Sequence, residues 1–491
     1  MNKVVIIGSG FAALSASCFL AKAGYSVSVL EKNSMAGGRA RVFSKDGFTF
    51  DMGPSWYWMP DVFDRFFACF GKKCSDYYQL ERLDPSYRVF FAEGDWYDVP
   101  ADWKKLASDF DAWEPGAGKR LEEFLRDAEI KYREGIGNLV FKPGKSILEF
   151  ANFRTIKGFF ELNLLSDFKR HVGRYFSNPK ILKILEFPVL FLGATPEKTP
   201  ALYSLMNYAD IKLGTWYPMG GMHRIVEGMV SLAKELGVSF HYNQEVSKIN
   251  VDRSGKAVSV DTISGTFDAD VVLSGADYAH TEQKLLENQW RSYSTSYWDS
   301  RVMAPSSILY YCGFSKKVDN LKHHNLFFDE DFGVHSKEIY EKPEWPSRPL
   351  FYLSAPSLTD SSLAPEGKEN LFLLIPTAPG MIEDKQITDR YFAYVADKVR
   401  RHTGNDLEAD TLFSLPYGAS NFIADYHALR GNAYGLANTL LQTAILKPAM
   451  RSKKVRNLLF AGQLTVPGPG VPPALISGEV AATEIMKDFP I

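Results

Sequence analysis

Residues 4–31 read VVIIGSGFAALSASCFLAKAGYSVSVLE. Val4-Val5-Ile6-Ile7 is a continuous β-branched run, the pattern of a parallel strand buried on both faces. It opens into Gly8-Ser9-Gly10-Phe11-Ala12-Ala13, a G-x-G-x-x-A turn, and a helix-like stretch follows to about Ala23, where Gly24 can stop it. Val27-Ser28-Val29-Leu30 is a second strand, ending at Glu31. Each position has a physical task in binding a dinucleotide. Gly8 permits the tight turn, Gly10 lets the backbone approach a diphosphate, and Ala13 is small enough for close helix–strand packing. The helix N-terminus supplies free N–H groups and the positive end of a dipole. Glu31, at the end of the second strand, can accept hydrogen bonds from ribose hydroxyls.

Composition limits what surrounds this unit. The 491 residues suggest two or three domains. The 56 Lys+Arg nearly balance 58 Asp+Glu, so no global field draws the chain to nucleic acid. Hydrophobic residues make up 45%, which argues for a large core and against long disorder. Aromatic residues are in surplus, with 35 Phe, 24 Tyr and 9 Trp, enough to line an apolar ligand site or simply to fill the core. Cys18, Cys69, Cys74 and Cys312 are too dispersed for a disulfide framework, a CxxC motif or a zinc site, so structural thiols and no metal are expected. The N-terminus superficially resembles a signal sequence, but its apolar stretch holds the Gly-x-Gly turn. No window offers eighteen uncharged apolar residues, so a spanning helix is not expected and reducing cytoplasm is the default compartment.

The segment after Glu31 is Lys32-Asn33-Ser34-Met35-Ala36-Gly37-Gly38-Arg39-Ala40. Two adjacent glycines and an arginine allow a second close approach to a diphosphate, with a guanidinium to balance its charge. A nicotinamide dehydrogenase has no general need of such a loop. Here the sequence resembles the FAD-containing amine oxidase and carotenoid desaturase superfamily, which pairs GxGxxG with an E…GGR segment. Asp51-Met52-Gly53-Pro54-Ser55 matches the D-x-G element that packs beneath the cofactor in that family. Near the other end, Asn457–Gly462 reads as a buried strand ending in glycine. Pro467-Gly468-Pro469-Gly470-Val471-Pro472-Pro473-Ala474 follows as a loop before a helix-like Ser477–Thr483. It resembles the closing Pro/Gly motif of bacterial phytoene desaturases, with Pro473 where that family commonly has glycine. In the middle, Tyr217-Pro218-Met219-Gly220-Gly221-Met222 precedes a helix pattern from His223 to Leu236, a strand at 238–242, and Glu245-Val246. Ala269–Asp277 is another buried strand ending at glycine.

The resemblance spans essentially the whole chain and is nearest to the bacterial carotenoid (phytoene) desaturases. It implies an α/β fold: a Rossmann-type FAD-binding domain assembled from residues 1–75, 215–285 and 445–491. An α+β substrate-binding domain from 76–140 and 286–444 is inserted, with a helical, membrane-contacting subdomain at 141–214. FAD would be held by Gly8, Gly10, Ala13, Glu31, Lys32, Gly37, Gly38, Arg39, Gly53, Pro54, Ser55, Val246, Gly462, Gly470, Val471 and Pro472. Val246 would meet the adenine through its backbone.

The implied activity is dehydrogenation of a C40 polyene in carotenoid biosynthesis, by hydride transfer to flavin N5 and loss of a proton from the adjacent carbon. Such chemistry asks the protein mainly for alignment and exclusion of water. No nucleophile triad, metal spacing or P-loop competes with this reading, and no catalytic acid or base is assigned. In FKRHVGRYF (168–176), and at Asp167, the charges of Asp167, Lys169, Arg170, His171 and Arg174 read as a solvated or lipid-facing helix side. Trp56 and Tyr217, each beside a cofactor motif, are candidates to line a substrate tunnel. Residues 147–192 mix Phe159, Phe160, Leu162, Leu164, Leu165 and Phe168 with basic charges, a pattern for monotopic attachment to the inner face of the cell membrane. Oxygen or quinone would accept the electrons. Three alternatives remain open: desaturation of hydroxylated or monocyclic carotenes at C3–C4, a flavin amine oxidase, and a prenyl-lipid carrier without flavin. The Pro-rich loop argues against the second, and Glu31 with Gly37-Gly38-Arg39 against the third.

Overall fold

A computed structural model describes residues 2–146, 149, 166–190, 195–439 and 442–491. Its organising element is a five-stranded parallel sheet built from distant parts of the chain. The strands are β1 (Lys3–Ile7), β2 (Ser26–Leu30), β3 (Ser239–His241), β4 (Val271–Ser274) and β5 (Leu458–Phe460), in the order β5-β4-β1-β2-β3. The alternation of side chains explains the unbroken apolar run at its centre. Val4 and Ile6 pack on one face against helices α1 (Phe11–Lys22), α2 (His223–Glu235) and α3 (Val471–Asp488). Val5 and Ile7 pack on the other face, against the antiparallel hairpins of Val246–Asp268 and against Tyr278 and Trp298.

A second, seven-stranded sheet lies beyond. Its order is Thr411–Tyr417, Ser306–Phe314, Glu369–Thr377, Phe351–Ser354, His324–Phe327, Tyr87–Ala92 and Asp95–Val99. All pairs are antiparallel except His324–Phe327 with Tyr87–Ala92. Ile308, Tyr310 and Cys312 face the helix Lys385–Thr403 through Tyr391, Val395 and Val399. Leu309, Tyr311, Phe372 and Leu374 face the opposite way, toward Phe48, Phe50 and the helices Ala117–Gly137 and Pro179–Leu190. The hairpin Val42–Asp51 thus joins the two sheets: Tyr311 donates to the Met52 carbonyl at 2.8 Å and the Asn370 amide donates to the Thr49 carbonyl at 2.7 Å.

Two expectations are corrected. The C-terminal loop is shorter than read, because α3 begins at Val471 with Gly470 as its N-cap. Pro472 and Pro473 occupy the first turn, where a missing N–H costs nothing and a fixed φ suits the helix. His171 does not lie on a solvated side. It is 2% exposed, and its Nε2 lies 3.2 Å from both Lys131 Nζ and Asp127 Oδ2. In the same short helix Lys169 and Arg170 are exposed, while Asp167 caps it by accepting from the Arg170 N–H at 2.8 Å. Phe168 is buried inward. The remaining aromatic and aliphatic positions of the proposed membrane stretch, from Phe159 to Leu165, lie outside the described residues. No helix among the described residues is long and apolar enough to cross a membrane. Cys18, Cys74 and Cys312 are buried free thiols, and Cys69 is half-buried.

Candidate functional site

The carboxyl edge of the parallel sheet gathers the first motif. Gly8 leaves β1 at φ 87°, a conformation side chains disfavour, and its N–H donates to the Leu30 carbonyl at 2.7 Å. A β-carbon at Gly275, just past β4, would stand 2.9 Å from that of Ala13, so helix and strand meet at the distance two small residues allow. Gly10 caps α1 without a side chain, and no acidic residue lies in the first turn. The helix therefore presents bare N–H groups at its N-terminus. Gly37 and Gly38 close over this point: the Gly37 N–H donates to the Ser9 carbonyl at 2.9 Å, and a β-carbon at Gly38 would lie 3.3 Å from the Gly10 α-carbon.

Glu31 is 4% exposed and each of its carboxylate oxygens accepts twice. One takes the Ser9 N–H at 2.9 Å and the Ser9 hydroxyl at 2.6 Å; the other takes the Asn33 N–H at 2.9 Å and its amide at 2.8 Å. The two backbone donors fix the carboxylate's orientation. The Gln244 N–H donates to the Glu31 carbonyl at 2.8 Å, which brings the buried Val246 to the same end. Lys32 turns outward, donating to the Ala424 carbonyl at 2.8 Å with His427 Nε2 at 3.3 Å.

Arg39 lies among Tyr426, Asn432 and Gln463. Its guanidinium sits 5.1 Å from the Tyr426 ring centre, and its Nη2 donates to the Asn432 carbonyl at 3.3 Å and, with the Gln463 amide turned to accept, to that oxygen at 2.9 Å. Its Nε is buried and has no partner among the described residues. Burial pulls its pKa down, and the charge of Asp277 opposes that pull. Gly53 must be glycine, since a β-carbon there would stand 2.5 Å from the Arg39 carbonyl oxygen.

Asp51 has a task not assigned from sequence. Its carboxylate accepts the N–H groups of Met222 at 2.7 Å and His223 at 2.9 Å, and so caps α2. The His223 ring nitrogen Nδ1 lies 2.7 Å from the Ala40 carbonyl oxygen. Burial raises the Asp51 pKa to about 6, with the two backbone donors working against it. Gly221 leaves room for this carboxylate, because a β-carbon would lie 2.8 Å from its Oδ2.

At the C-terminal motif, Gly462 follows β5 at φ 116°, and a β-carbon on it would lie 4.0 Å from Ala12, at the start of α1. Its N–H donates to the Ser477 hydroxyl at 2.9 Å. Gly470 caps α3 as Gly10 caps α1, without a side chain and with no acidic residue in the first turn. Val471 and Pro472 form that first turn. Two uncapped helix N-termini, an orphaned guanidinium nitrogen and close-approach glycines together fit an extended anionic group.

Pro54 and Ser55 lead from this edge to the second sheet, and Trp56 enters a cluster of rings. It stacks on His324 at 4.0 Å with 12° between planes, and Tyr87, Phe187 and Tyr352 stand 5.2 to 5.5 Å away. The Trp56 indole N–H and His324 Nε2 have no partner among the described residues. Beneath the cluster Asp210 accepts from the Tyr87 hydroxyl at 2.8 Å, and burial raises its pKa to about 7. Tyr217 is 2% exposed, and its unpartnered hydroxyl lies at a small pocket shared with Asp51, Ser55, Gly221 and His323. A second, apolar pocket is walled by Phe187, Phe328, Ile339, Leu350, Tyr352 and Leu374. His335 also borders it. That ring donates through Nε2 to the Pro376 carbonyl at 3.1 Å and accepts the Leu350 N–H at Nδ1, and burial lowers its pKa to about 4, so it is neutral. His324 and Gln463 carry no local sequence signal, since each meets partners well along the chain.

Residues 12–486 match the flavin-containing amine oxidoreductase family. The chain belongs to that family. This flavin oxidoreductase is 43% identical over 488 residues to a carotenoid 3,4-desaturase of Haloarcula japonica, covering 99% of this chain and 98% of that one. It is 30% identical over 492 residues to a zeta-carotene-forming phytoene desaturase of Myxococcus xanthus, covering 99% and 94%. Among solved structures, an oxidoreductase of Methanosarcina mazei has the same fold, with a TM-score of 0.65 at 16% identity over 99% of this chain and all of that one.

Proposed function

We propose that this flavin oxidoreductase is an FAD-dependent carotenoid desaturase, extending the conjugation of a C40 polyene. The observation that carries the reading is the uncharged, apolar cavity beside the Trp56 ring cluster, in a chain related over its full length to carotenoid desaturases. A long hydrocarbon needs such a wall, and the neutral His335 adds no charge to it.

In this reading the dinucleotide form of the flavin is held by the α1 N-terminus with Gly8 and Gly10, and its ribose by Glu31. Gly37, Gly38, Arg39, Gly462 and the α3 N-terminus with Gly470–Pro472 hold the remaining polar groups. The bound flavin supplies the hydride acceptor. The protein's own share is alignment and dryness: Trp56, Phe187 and Tyr352 present flat rings to the polyene, and Tyr217 closes the approach from the Asp51 side. The reading divides the chain as the strands support it. The parallel sheet uses residues within 1–75, 215–285 and 445–491, and the seven-stranded sheet uses residues within 76–140 and 286–444. It extends to a peripheral position on the inner face of the cell membrane, because the substrate is insoluble in water, and to oxygen or quinone as electron acceptor.

A second reading concerns the bond. The 43% identity to a carotenoid 3,4-desaturase supports desaturation at C3–C4 as that reading. Expression in a phytoene-accumulating host, and in one accumulating a hydroxylated acyclic carotene, with pigments resolved by chromatography, separates the two. New chromophore from phytoene supports the first, and new chromophore only from the later carotene supports the second. No new pigment in either host, with flavin bound to the purified protein, overturns both.

A further inference from the structure

Lys447 is a cation buried without an anion. It is 5% exposed, and its ammonium has one hydrogen-bond partner among the described residues, the Asn438 amide oxygen at 3.1 Å. No carboxylate of the described residues forms an ion pair with it, whereas the buried Lys131 pairs with Asp127 and Lys398 with Asp329 and Glu330. Burial alone lowers its pKa, to about 7, and no neighbouring charge opposes that. A buried ammonium left so poorly compensated costs stability, and the cost is recovered when a negative charge arrives beside it.

Its position says which charge. A β-carbon at Gly468 would stand 2.9 Å from Lys447 Nζ, so the ammonium lies against the loop that leads into Gly470 and the uncapped N-terminus of α3. The Thr465 hydroxyl donates to the Pro448 carbonyl at 2.7 Å and ties the lysine's segment to the turn after Gly462. The diphosphate already has α1, Gly37 and Gly38 at the other end of this edge. Lys447 and the α3 N-terminus form a second positive pole.

We propose that this pole tunes the flavin, Lys447 stabilising the negative charge that reduction places on the isoalloxazine ring. The inference rests on the reading of the site as a flavin site. The step balances. A hydride, two electrons with one proton, leaves a breaking substrate C–H bond and forms N–H at the flavin. The substrate is oxidised to a cation that loses a proton to the buffer, and the reduced ring holds one negative charge. A positive charge beside the ring then favours the reduced over the oxidised state.

The test needs no carotenoid. Full-length protein loaded with FAD is reduced against dyes of known potential, and binding of oxidised and reduced FAD is compared. Lys447→Met is expected to hold oxidised FAD within threefold of wild type and to weaken reduced FAD about tenfold more, a midpoint potential lower by about 30 mV for the two-electron couple. Lys447→Arg keeps the charge and the wild-type ratio. Asn438→Asp leaves the lysine in place but sets a carboxylate against it, and lowers the potential in the same direction, which decides the matter if the methionine variant fails to fold. Unchanged potentials in Lys447→Met and Asn438→Asp overturn the proposal. Equal loss of oxidised and reduced FAD also overturns it, assigning Lys447 to a permanently anionic group. Wild-type protein that holds no FAD would instead overturn the flavin reading itself.

Discussion

Glu31 holds four donors on one carboxylate, two from backbone and two from side chains. Replacing it with alanine removes the acceptor for a ribose diol and leaves the buried Ser9 N–H unsatisfied, at a cost of about 1–3 kcal/mol. Glu31→Ala is expected to retain at least tenfold less FAD after gel filtration, read from flavin absorbance, and unchanged occupancy would remove Glu31 from the site. Asp51 gives a pH signature. Its pKa is raised from 3.8 to about 6 by burial, so the folded state binds a proton that the unfolded state releases. The stability linked to this group is present below about pH 4 and is lost as pH rises through 6. Against Asp51→Asn, wild type should lose on the order of 2–3 kcal/mol between pH 4 and pH 6.5 in urea unfolding. A difference between the two proteins that stays flat over this range refutes it.

The first helix and the last meet at one glycine. A β-carbon at Gly478 of α3 would stand 2.1 Å from the Ala12 carbonyl oxygen of α1, a contact between two backbones that neither helix can relieve by turning a side chain. Gly478→Ala is expected to cost about 2–4 kcal/mol in denaturant unfolding and to loosen the flavin with it. Gly137, at the end of its helix and with nothing within 4 Å of a β-carbon, is the control: Gly137→Ala should be neutral or stabilising by up to about 1 kcal/mol. The same contrast explains what could be read from sequence. Gly8, Gly10, Ala13 and Glu31 belong to a contiguous strand–turn–helix–strand unit, so their spacing alone made this part of the parallel sheet legible. Asp51 caps a helix whose start lies 172 positions later, and no local pattern announces that pairing. Lys447 stands shortly before a basic stretch, where a lysine reads as surface, and only the fold buries it. His171 misled for the opposite reason, since a run of charges on a short helix looked solvated although one member turns into a polar core with Lys131 and Asp127.

Across the whole molecule the proposed function divides between the two sheets, the parallel one offering an edge that fits an anionic cofactor and the other, with its helices, walling an apolar pocket. The division is testable by filling the cavity. Ile339→Trp puts an indole where the polyene is proposed to lie, and should leave the flavin spectrum unchanged while lowering desaturated product at least tenfold. Unchanged product would place the substrate elsewhere. The parallel sheet has a consequence for how the protein is made. β1 lies between strands that begin at Ser26 and Val271, β5 is added only at Leu458, and the Asn2 amide donates to the Phe489 carbonyl at 3.1 Å. Contacts of such sequence separation form late. At about 5–20 residues per second, the ribosome needs roughly half a minute or more to deliver the last strand. Until then both helix N-termini of the anion edge cannot coexist. On the proposed site, cofactor capture waits for the last strand, and a nascent chain stalled before Leu458 is expected to retain no FAD after gel filtration.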